Sequence, residues 1–250
     1  MRILFLLTGY LPDVFGGAEV FTRNLAMGLA RRGHGISLAA LNLGESRAEA
    51  LDYVHEGFPV HRFAFPRPQR PPEIYGLQFY KHLYDDGLRH FSDNRPDVVH
   101  MTNSWWMAPL ALAAMHTGIP CVITHVDFLW SCRESHLLRR DFSVCGGDKA
   151  ACRACYPDIT DSNWPLFDAR RHRLLTLLAR GYSTHHCPSS ILERQVKTLG
   201  APPECVRMFP HGVPDDLPAK RQSKTPARGL RLGFIGRWNR IKGIEVFLRA

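Results

Sequence analysis

The stretch that decides the fold runs from Arg2 to Leu41 and reads RILFLLTGYLPDVFGGAEVFTRNLAMGLARRGHGISLAAL. Ile3–Leu7 is a continuous apolar run, which predicts a parallel strand covered on both faces. A loop with Gly16-Gly17 follows, and the apolar spacing over Ala18–Arg32 predicts a helix. Ile36–Leu41 predicts a second strand. Strand, loop, helix and strand form one βαβ unit, whose two strands lie parallel in a compact domain.

The alternation of strands and helices continues to about residue 213. Further strands are predicted at Val60–Phe65, Pro96–His100, Pro120–Thr124 and Val206–Phe209. Further helices are predicted at Glu73–Phe91, Ala108–Thr117, Phe167–Arg180 and Ile191–Leu199. The proline-rich stretch Pro66–Pro72 is predicted to be a surface loop, because it suits neither a helix nor a central strand. The sequence therefore predicts an α/β fold with a doubly wound, Rossmann-like parallel sheet.

The pattern begins again near residue 230. Residues 214–229 are polar and contain three prolines, as is typical of a linker between domains. Leu230–Gly236 predicts a new strand that ends in glycine, and a helix is predicted from Ile244 onward. We therefore predict a first domain at 1–213, a linker at 214–229 and the start of a second, truncated Rossmann-like domain at 230–250.

The charge balance favours anionic partners without selecting one. The chain has 32 basic and 23 acidic residues and a formal net charge of +9, which suits nucleotide diphosphates, acidic lipid surfaces or nucleic acid. The basic residues are scattered, and no aromatic-interleaved basic stripe of the kind used by nucleic-acid binders is present. We therefore expect no nucleic-acid partner. A hydrophobic content of 45% excludes the disordered and collagen-like classes.

The expected location is the cytoplasm. No apolar run reaches the roughly 18 residues that a membrane-spanning helix needs, and Met1–Leu7 is too short for the core of a signal peptide. Arg170–Arg173 leads into two Leu-Leu pairs, and this basic amphipathic stretch could lie on the inner face of an anionic membrane. The alternative is that the stretch docks onto the protein core.

The candidate ligand loops follow the carboxyl ends of the predicted parallel strands, because ligands of open α/β sheets bind there. The glycines at 9, 16 and 17 do not supply the Gly-x-Gly-x-x-Gly spacing of a nicotinamide dinucleotide site. No Gly-Lys-Ser or Gly-Lys-Thr follows them, so a phosphate-binding Walker loop is excluded as well.

Five motifs occur in one order along nearly the whole chain. They are Met1–Gly35 with Gly16-Gly17-Ala18-Glu19, Arg95–His100, Ser189-Ser190, His211-Gly212-Val213, and Gly233–Arg237 with Lys242-Gly243. In these motifs the chain resembles family 4 of the retaining glycosyltransferases, which have the GT-B fold. Members of that family open with a strand, a proline-containing loop and Gly-Gly-Ala-Glu leading into a helix.

The resemblance implies that Arg237 and Lys242 hold the diphosphate of a sugar donor. The physics agrees, because two cations beside a glycine at a strand end can neutralise a leaving nucleotide diphosphate. Arg240 is an auxiliary candidate. From the residues alone, a solvated lysine at a helix start is the preferred interpretation of Lys242.

Gly16, Gly17 and Glu19 are predicted to bind donor or acceptor. The glycines let backbone N–H groups at a helix N-terminus approach a ligand closely. Glu19 lies in the first turn of the predicted helix, where the macrodipole favours a carboxylate. It either caps the helix, or it orders the glycine loop or contacts sugar hydroxyls.

His125 and Asp127 are the predicted catalytic residues. The family has a histidine immediately before an aspartate at this strand end, whereas this chain has His125-Val126-Asp127. Either the histidine is displaced by one residue or Val126 occupies its place, and one residue reverses the side-chain direction on a strand. A buried structural histidine is the alternative for His125.

An insertion at 132–155 contains four of the seven cysteines, Cys132, Cys145, Cys152 and Cys155. In a reducing cytosol, four cysteines within 24 residues are best explained by a structural zinc ion held by all four thiolates. An iron–sulfur cluster and redox-labile disulfides stay open as alternatives. The insertion is expected to border the acceptor side of the cleft.

These features together predict a glycosyltransferase that moves a hexose from a nucleotide-diphosphate sugar to a glycan or lipid-linked acceptor. The resemblance implies a role in cell-surface polysaccharide or glycoconjugate synthesis. It also implies that no catalytic metal is needed, because basic side chains and helix N-termini stabilise the departing diphosphate. The alternative is a non-catalytic zinc-containing binding module or partner subunit. We expect the 250 residues alone to have little or no activity, because most of the donor domain is missing from them.

Overall fold

The computed structural model describes residues 1–43, 49–65, 80–102, 106–132, 135–147, 152–156, 159–213 and 232–249. Within these ranges the strands are β1 (Arg2–Leu7), β2 (Gly35–Leu41), β3 (Leu51–His55), β4 (Phe58–Phe63), β5 (Val98–Met101), β6 (Cys121–Thr124), β7 (Thr184–Cys187) and β8 (Val206–Met208). The helices are α1 (Gly17–Arg31), α2 (Lys81–Asn94), α3 (Ala108–His116), α4 (Trp164–Gly181), α5 (Ser190–Thr198) and α6 (Ile244–Arg249).

The strands of the described residues form one sheet in the order β3-β4-β2-β1-β5-β6-β7-β8. Only the edge strand β3 is antiparallel to its neighbour, and all other pairs are parallel. The strand order runs outward from β1 in both directions, so the sheet is doubly wound. The predicted Rossmann-like parallel sheet is confirmed.

Both faces of the sheet are buried, as the unbroken apolar run of β1 predicts. Ile3, Phe5 and Leu7 pack on the α1 side, in a core that also takes residues from β2 and β4. Leu4 and Leu6 point to the opposite face, where a larger core includes side chains of α2, α3, α4 and α5. A parallel sheet needs this cover on both faces, because its crossover helices lie on both sides.

Two strands were not predicted from the sequence. The edge strand β3 reads Leu-Asp-Tyr-Val-His, without a regular alternation, and pairs with β4 through a tight turn at Glu56-Gly57, where both residues have positive φ (50° and 85°). The sequence of β7 is Thr-His-His-Cys, which has no aliphatic side chain to reveal it. β7 nevertheless pairs with parallel strands on both sides, between β6 and the edge strand β8.

The strand predicted at Leu230–Gly236 is wrong for the residues that can be assessed. Residues 232–236 are described and adopt no strand, and the sheet formed by the described residues ends at β8. An apolar run becomes a strand only when a neighbouring strand takes up its backbone hydrogen bonds. The helix predicted from Ile244 is confirmed as α6.

Several predicted segments fall outside the described residues. These are the linker 214–229, the proline-rich loop Pro66–Pro72 and residues 73–79 of the helix predicted at Glu73–Phe91. The rest of that helix is observed as α2. Among the helices of the described residues, none is both long and apolar enough to cross a bilayer.

Candidate functional site

The candidate site lies at the carboxyl ends of β1 and β5, where the strand order of the sheet reverses. This crevice is the usual ligand position in an open α/β sheet. Helix α1 is tied across it to the end of β5. The Thr22 hydroxyl donates to the Ala18 carbonyl at 2.8 Å, so the Thr102 hydroxyl must be the donor in the 2.6 Å bond between Thr102 and Thr22.

The β3–β4 hairpin holds the loop that leads into α1. The Tyr53 hydroxyl donates to the Leu11 carbonyl at 2.7 Å, and the Arg62 guanidinium donates to the Tyr53 hydroxyl at 2.9 Å. The same guanidinium forms an ion pair with Asp13 and lies 4.4 Å from the centre of the Tyr53 ring. Tyr53 and Arg62 of the edge hairpin therefore hold the loop that contains Leu11 and Asp13 and leads to Gly16-Gly17.

The Glu19 side chain packs directly against Gly16 at the start of α1. Gly16 caps the helix without a side-chain hydrogen bond, and Glu19 folds back beneath it with only 6% exposure. A Cβ on Gly16 would lie 2.7 Å from Glu19 Oε2, whereas a Cβ on Gly17 would meet nothing within 4 Å. Only glycine at position 16 leaves room for this carboxylate.

The Glu19 carboxyl group has a raised pKa. Burial is the main cause, and a hydrogen bond from its own backbone N–H and the positive charge of Arg237 act in the opposite direction. Glu19 and Arg237 are 218 positions apart in the sequence. The structure therefore brings the glycine loop into electrostatic range of the basic segment that was predicted to bind the donor.

The described residues of the basic segment include four exposed cations, Arg237, Arg240, Lys242 and Arg249. Of these, Arg237 and Lys242 form no ion pair with a carboxylate of the described residues. Arg240, in contrast, is paired with Glu245 at 3.3 Å, and its guanidinium lies 4.2 Å from the centre of the Phe142 ring in the cysteine-rich insertion. Arg240 is thus committed to local contacts, while Arg237 and Lys242 are available to an anionic ligand.

A row of hydrogen-bonded histidines, which the sequence analysis missed, crosses the α1 face at the ends of β5, β6 and β7. His186 Nε2 donates to the Phe209 carbonyl at 2.9 Å, so His186 Nδ1 accepts from the Thr124 hydroxyl at 3.2 Å. Thr124 in turn accepts from His100 Nε2 at 2.8 Å. Burial, with His186 as a second cause, lowers the pKa of His100 to about 4, so the row is neutral near pH 7.

The row ends beside helix α1 and the end of the first predicted domain. The His186 ring stacks on Phe209 at 3.9 Å and meets His211 edge-on at 5.5 Å. Phe21 of α1 contacts His211 at 4.4 Å. Two of these histidines, His100 and His211, lie in the family motifs, but no local pattern indicates that His186 joins them.

His125 lies on the opposite face of the sheet. His185 Nε2 donates to the Ala179 carbonyl at 2.9 Å, so its Nδ1 accepts from His125 Nε2 at 3.1 Å. The His125 ring meets Trp130 edge-on at 4.7 Å, and the side chain is 4% exposed. Burial, followed by His185 and His186, holds the pKa of His125 well below its usual range. A catalytic role for His125 stays a prediction, and it would have to use Nδ1 because Nε2 is engaged.

Asp127 stands in the turn that follows β6. Its Oδ1 accepts a hydrogen bond from the Leu129 backbone N–H at 2.9 Å, and the side chain is partly shielded from solvent. This bond has the geometry of a local Asx-turn, which a short carboxylate often forms two residues ahead. Its predicted catalytic role also stays a prediction.

The four cysteines of the insertion are free thiols that are partly shielded from solvent. Burial raises the pKa of the Cys152 thiol, and Cys145, Cys155 and Cys132 add to this, while Arg171 opposes it. Among the described residues, however, no three metal-ligating side chains are close enough together to hold an ion.

A cavity of about 680 Å³ lies at the opposite end of the sheet, where residues from the amino ends of β1 and β2, including Arg2 and Gly35, contribute to its lining. We place the functional site at the carboxyl ends instead, because loops and helix N-termini gather there in a parallel sheet.

Solved structures share this fold. Sucrose-phosphate synthase from Thermosynechococcus elongatus matches with a TM-score of 0.52 and 11% identity, over 84% of this chain and 48% of its own. MurG from Acinetobacter baumannii matches with a TM-score of 0.48 and 12% identity, over 86% of this chain and 46% of its own. Anabaena HepE, solved in complex with UDP, matches with a TM-score of 0.48 and 17% identity, over 85% of this chain and 44% of its own. The chain thus spans about half the length of each of these structures.

None of the curated proteins compared with the chain matched its sequence. At such low identities, the likeness to solved structures concerns the fold only. The family assignment comes from the model of Glycosyltransferase Family 4, which matches residues 15–217. Because that match covers more than half of the sequence, the chain belongs to glycosyltransferase family 4.

Proposed function

We propose that the polypeptide transfers a sugar from a nucleotide-diphosphate sugar to a glycan or lipid-linked acceptor in the synthesis of a cell-surface polysaccharide or glycoconjugate. The observation that carries this proposal is the approach of Arg237 to the glycine loop, where its charge acts on the Glu19 carboxyl. Family membership supports the reaction type. The hexosyl identity of the sugar and the acceptor class are taken from the family resemblance.

In this proposal, Arg237 and Lys242 neutralise the charge that develops on the departing diphosphate. Charge-assisted hydrogen bonds from such cations are stronger than neutral ones and are most effective where charge appears in the transition state. The N-terminus of α1 adds the partial positive charge of its unpaired N–H groups beside Gly16-Gly17. No catalytic metal is needed for this step.

Glu19 and the two predicted catalytic residues serve orientation. The Glu19 carboxylate fixes the glycine loop and can accept hydrogen bonds from sugar hydroxyls. His125, through Nδ1, and Asp127 would position the transferring sugar or the acceptor. His185 holds the His125 ring in one tautomer, which is how a neutral histidine keeps a defined donor or acceptor atom.

The proposal includes the domain division. Residues 1–213, with the insertion 132–155, form the acceptor-side domain, 214–229 the linker, and 230–250 the beginning of the donor-binding domain.

We also propose a cytoplasmic protein that touches the inner face of the membrane through α4. This helix exposes Leu166 (54%) and Leu177 (53%) together with Arg170 and Arg173. Apolar side chains among cations suit the boundary of an anionic lipid surface. A lipid-linked acceptor would be presented there.

The test of the proposed function measures binding of UDP and of ADP to the polypeptide expressed from the full coding sequence that contains these residues. Arg237→Ala and Lys242→Ala are each expected to weaken nucleotide diphosphate binding about tenfold or more, since a hydrogen bond to a charged group is worth about 1.5–3 kcal/mol. Arg249→Ala is the matched control, because Arg249 is exposed on the same segment and faces Glu245 at 3.9 Å.

Unchanged affinity in both variants, with the control also unchanged, would remove the donor site from this segment. Absence of any nucleotide binding and of any sugar transfer by the folded polypeptide would favour the alternative, a non-catalytic binding module or partner subunit.

A further inference from the structure

Four aromatic rings lie together near the carboxyl ends of β7 and β8, on the side of the sheet that faces α1. They form an aromatic shelf, which consists of Phe21, His186, Phe209 and His211. His186 is buried and Phe21 is partly shielded, whereas His211 is exposed and Phe209 is 53% exposed. Contiguous apolar surface that stays open to solvent often marks a ligand site.

Phe209 is fixed in position by its neighbours on β7. Its backbone N–H donates to the Cys187 carbonyl at 3.2 Å, and its carbonyl accepts from His186 Nε2 at 2.9 Å. The rings of Phe209 and His186 are inclined by only 13°, with their centres 3.9 Å apart. His186 therefore covers one face of the Phe209 ring, and the exposed surface of Phe209 lies on the opposite face and the ring edge. A ring held in one orientation loses little conformational entropy when a ligand binds to it.

His211 adds hydrogen-bonding capacity at the edge of the shelf. The centre of its ring lies 4.4 Å from that of Phe21 and 5.5 Å from that of His186. Within the part of the chain that the structure describes, neither ring nitrogen of His211 has a hydrogen-bond partner. Burial, followed by the nearby His186, lowers the pKa of His211. The ring is therefore neutral near pH 7 and offers one donor and one acceptor.

The shelf lies beside the candidate site. Phe21 stands on α1 two positions after Glu19, and the glycine loop lies, like the shelf, beyond the carboxyl ends of parallel strands. All four rings belong to residues 1–213, the proposed acceptor-side domain. They are uncharged near pH 7, so they suit a neutral ligand better than a diphosphate. A pyranose is such a ligand, because its C–H bonds pack on an aromatic face while its hydroxyls form hydrogen bonds.

We propose that Phe209 and His211 bind a hexopyranose ring of the acceptor, with the sugar stacked on the open face of Phe209 and one hydroxyl hydrogen-bonded to His211. This inference rests on the proposed function, because it assigns a subsite to the acceptor of that reaction. His186 supports the Phe209 ring, and Phe21 supports the His211 ring. The acceptor is then a molecule that brings a sugar ring, and not a bare lipid chain, into the site.

The experiment measures the binding of methyl glycosides to the polypeptide expressed from the full coding sequence that contains these residues. The probes are the methyl pyranosides of glucose, galactose, mannose and N-acetylglucosamine, and saturation-transfer NMR of their C–H protons follows the titrations. We expect at least one of them to bind to the wild type. Phe209→Leu removes the ring but keeps an apolar side chain, and it should weaken this binding about two- to tenfold, as loss of an aromatic contact does.

Three further variants separate the role of the rings from a general effect on the fold. Phe209→Tyr keeps the ring and should bind the glycoside as the wild type does. His211→Phe keeps an aromatic ring without nitrogens and should weaken the same binding. Met208→Leu is the matched control and should leave the affinity unchanged, because Met208 is 52% exposed and its side chain points to the opposite face of the sheet. Circular dichroism checks that each variant is folded.

Binding of UDP and of ADP to the same preparations separates this inference from the proposed function. Wild-type polypeptide that binds a nucleotide diphosphate but none of the glycosides would overturn the sugar subsite alone. Glycoside affinity that is unchanged in Phe209→Leu would also overturn it. A loss confined to UDP or ADP binding in that variant would do the same, because it would assign the ring to the nucleobase of the donor. Phe209-dependent glycoside binding without any nucleotide binding would support the subsite and contradict the transfer reaction.

Discussion

At the residue scale, the contact between Gly16 and Glu19 gives the glycine loop its shape. The Glu19 carboxylate occupies the space that any side chain at position 16 would take. Gly17, one residue on, borders open space. Two adjacent glycines therefore have different reasons to be glycine: the first leaves room for a buried carboxylate, and the second keeps the helix N-terminus open to a ligand.

Gly16→Ala is expected to displace the Glu19 side chain and to lower the free energy of unfolding by about 1–3 kcal/mol, the usual cost of overpacking a buried site. Gly17→Ala should leave stability unchanged or raise it slightly, since alanine is the better helix residue. Urea unfolding of the two variants and of the wild type measures both changes in the free energy of unfolding. Equal stability of the two variants would mean that the carboxylate has another place to go.

At the element scale, helices α2 and α3 pack unusually closely at Gly87. A Cβ on this residue would lie 2.9 Å from Leu110 Cδ2 and 3.0 Å from the Ala113 Cβ. Both neighbours belong to α3, which is fully buried over most of its length. The close approach lets two short helices cover the same face of the sheet.

Gly87→Ala is expected to destabilise the protein by about 1–3 kcal/mol, because the added methyl group forces α2 and α3 apart. The matched control is Gly28→Ala in α1, where a Cβ would meet nothing within 4 Å. That change should stabilise by about 0.5–1 kcal/mol through helix propensity. The comparison is made by thermal or chemical unfolding, and a destabilising Gly28→Ala together with a neutral Gly87→Ala would contradict it.

The elements themselves were predictable where their apolar pattern is local and strong. β1, β2 and α1 appear within one or two residues of their predicted bounds. β3 and β7 were missed for a physical reason, since an edge strand needs only one buried face and β7 is stabilised by histidines instead of aliphatic side chains. Their strand character comes from pairing with β4, and with β6 and β8, and a local sequence window does not contain these partners.

At the scale of the whole molecule, histidines link the strands on both faces of the sheet. The row from His100 to His186 spans β5, β6 and β7 on the α1 face, and His125 joins His185 on the other. Burial lowers the pKa of His100 and of His185 to about 4, with the nearby His186 as a second cause for His100 and a hydrogen bond to the Ala179 carbonyl acting against the shift at His185. His185 and His186 each accept a hydrogen bond at Nδ1, so these two bonds are lost when the accepting ring is protonated.

The stability of the folded state should therefore fall as the pH is lowered from about 6.5 to about 4. In that window the unfolded chain binds protons at these histidines and the folded chain does not, so each one contributes a slope of up to about 1.4 kcal/mol per pH unit. Chemical unfolding between pH 4 and pH 8 measures this dependence of the free energy of unfolding on pH. His185→Asn, which cannot take up a proton, should flatten the dependence, whereas His172→Asn on the exposed face of α4 should not. An unchanged slope in His185→Asn would show that His185 takes up its proton over the same pH range in the folded state as in the unfolded chain.

The sequence by itself determined most of the strands and helices, with β3 and β7 as exceptions, and also the glycine loop at the start of α1, the two cations of the second segment and the group of four cysteines. All of these are properties of neighbouring residues, because apolar periodicity and motif spacing act over a few positions along the chain. Only the tertiary structure decided the strand order, the burial of Glu19 within range of Arg237, and the pairing of His125 with His185. Those depend on contacts between residues that are distant in the sequence, from 22 positions for Leu38 and Val60 to 218 for Glu19 and Arg237. Such contacts are fixed by how the faces of the sheet are covered, which the local pattern does not contain.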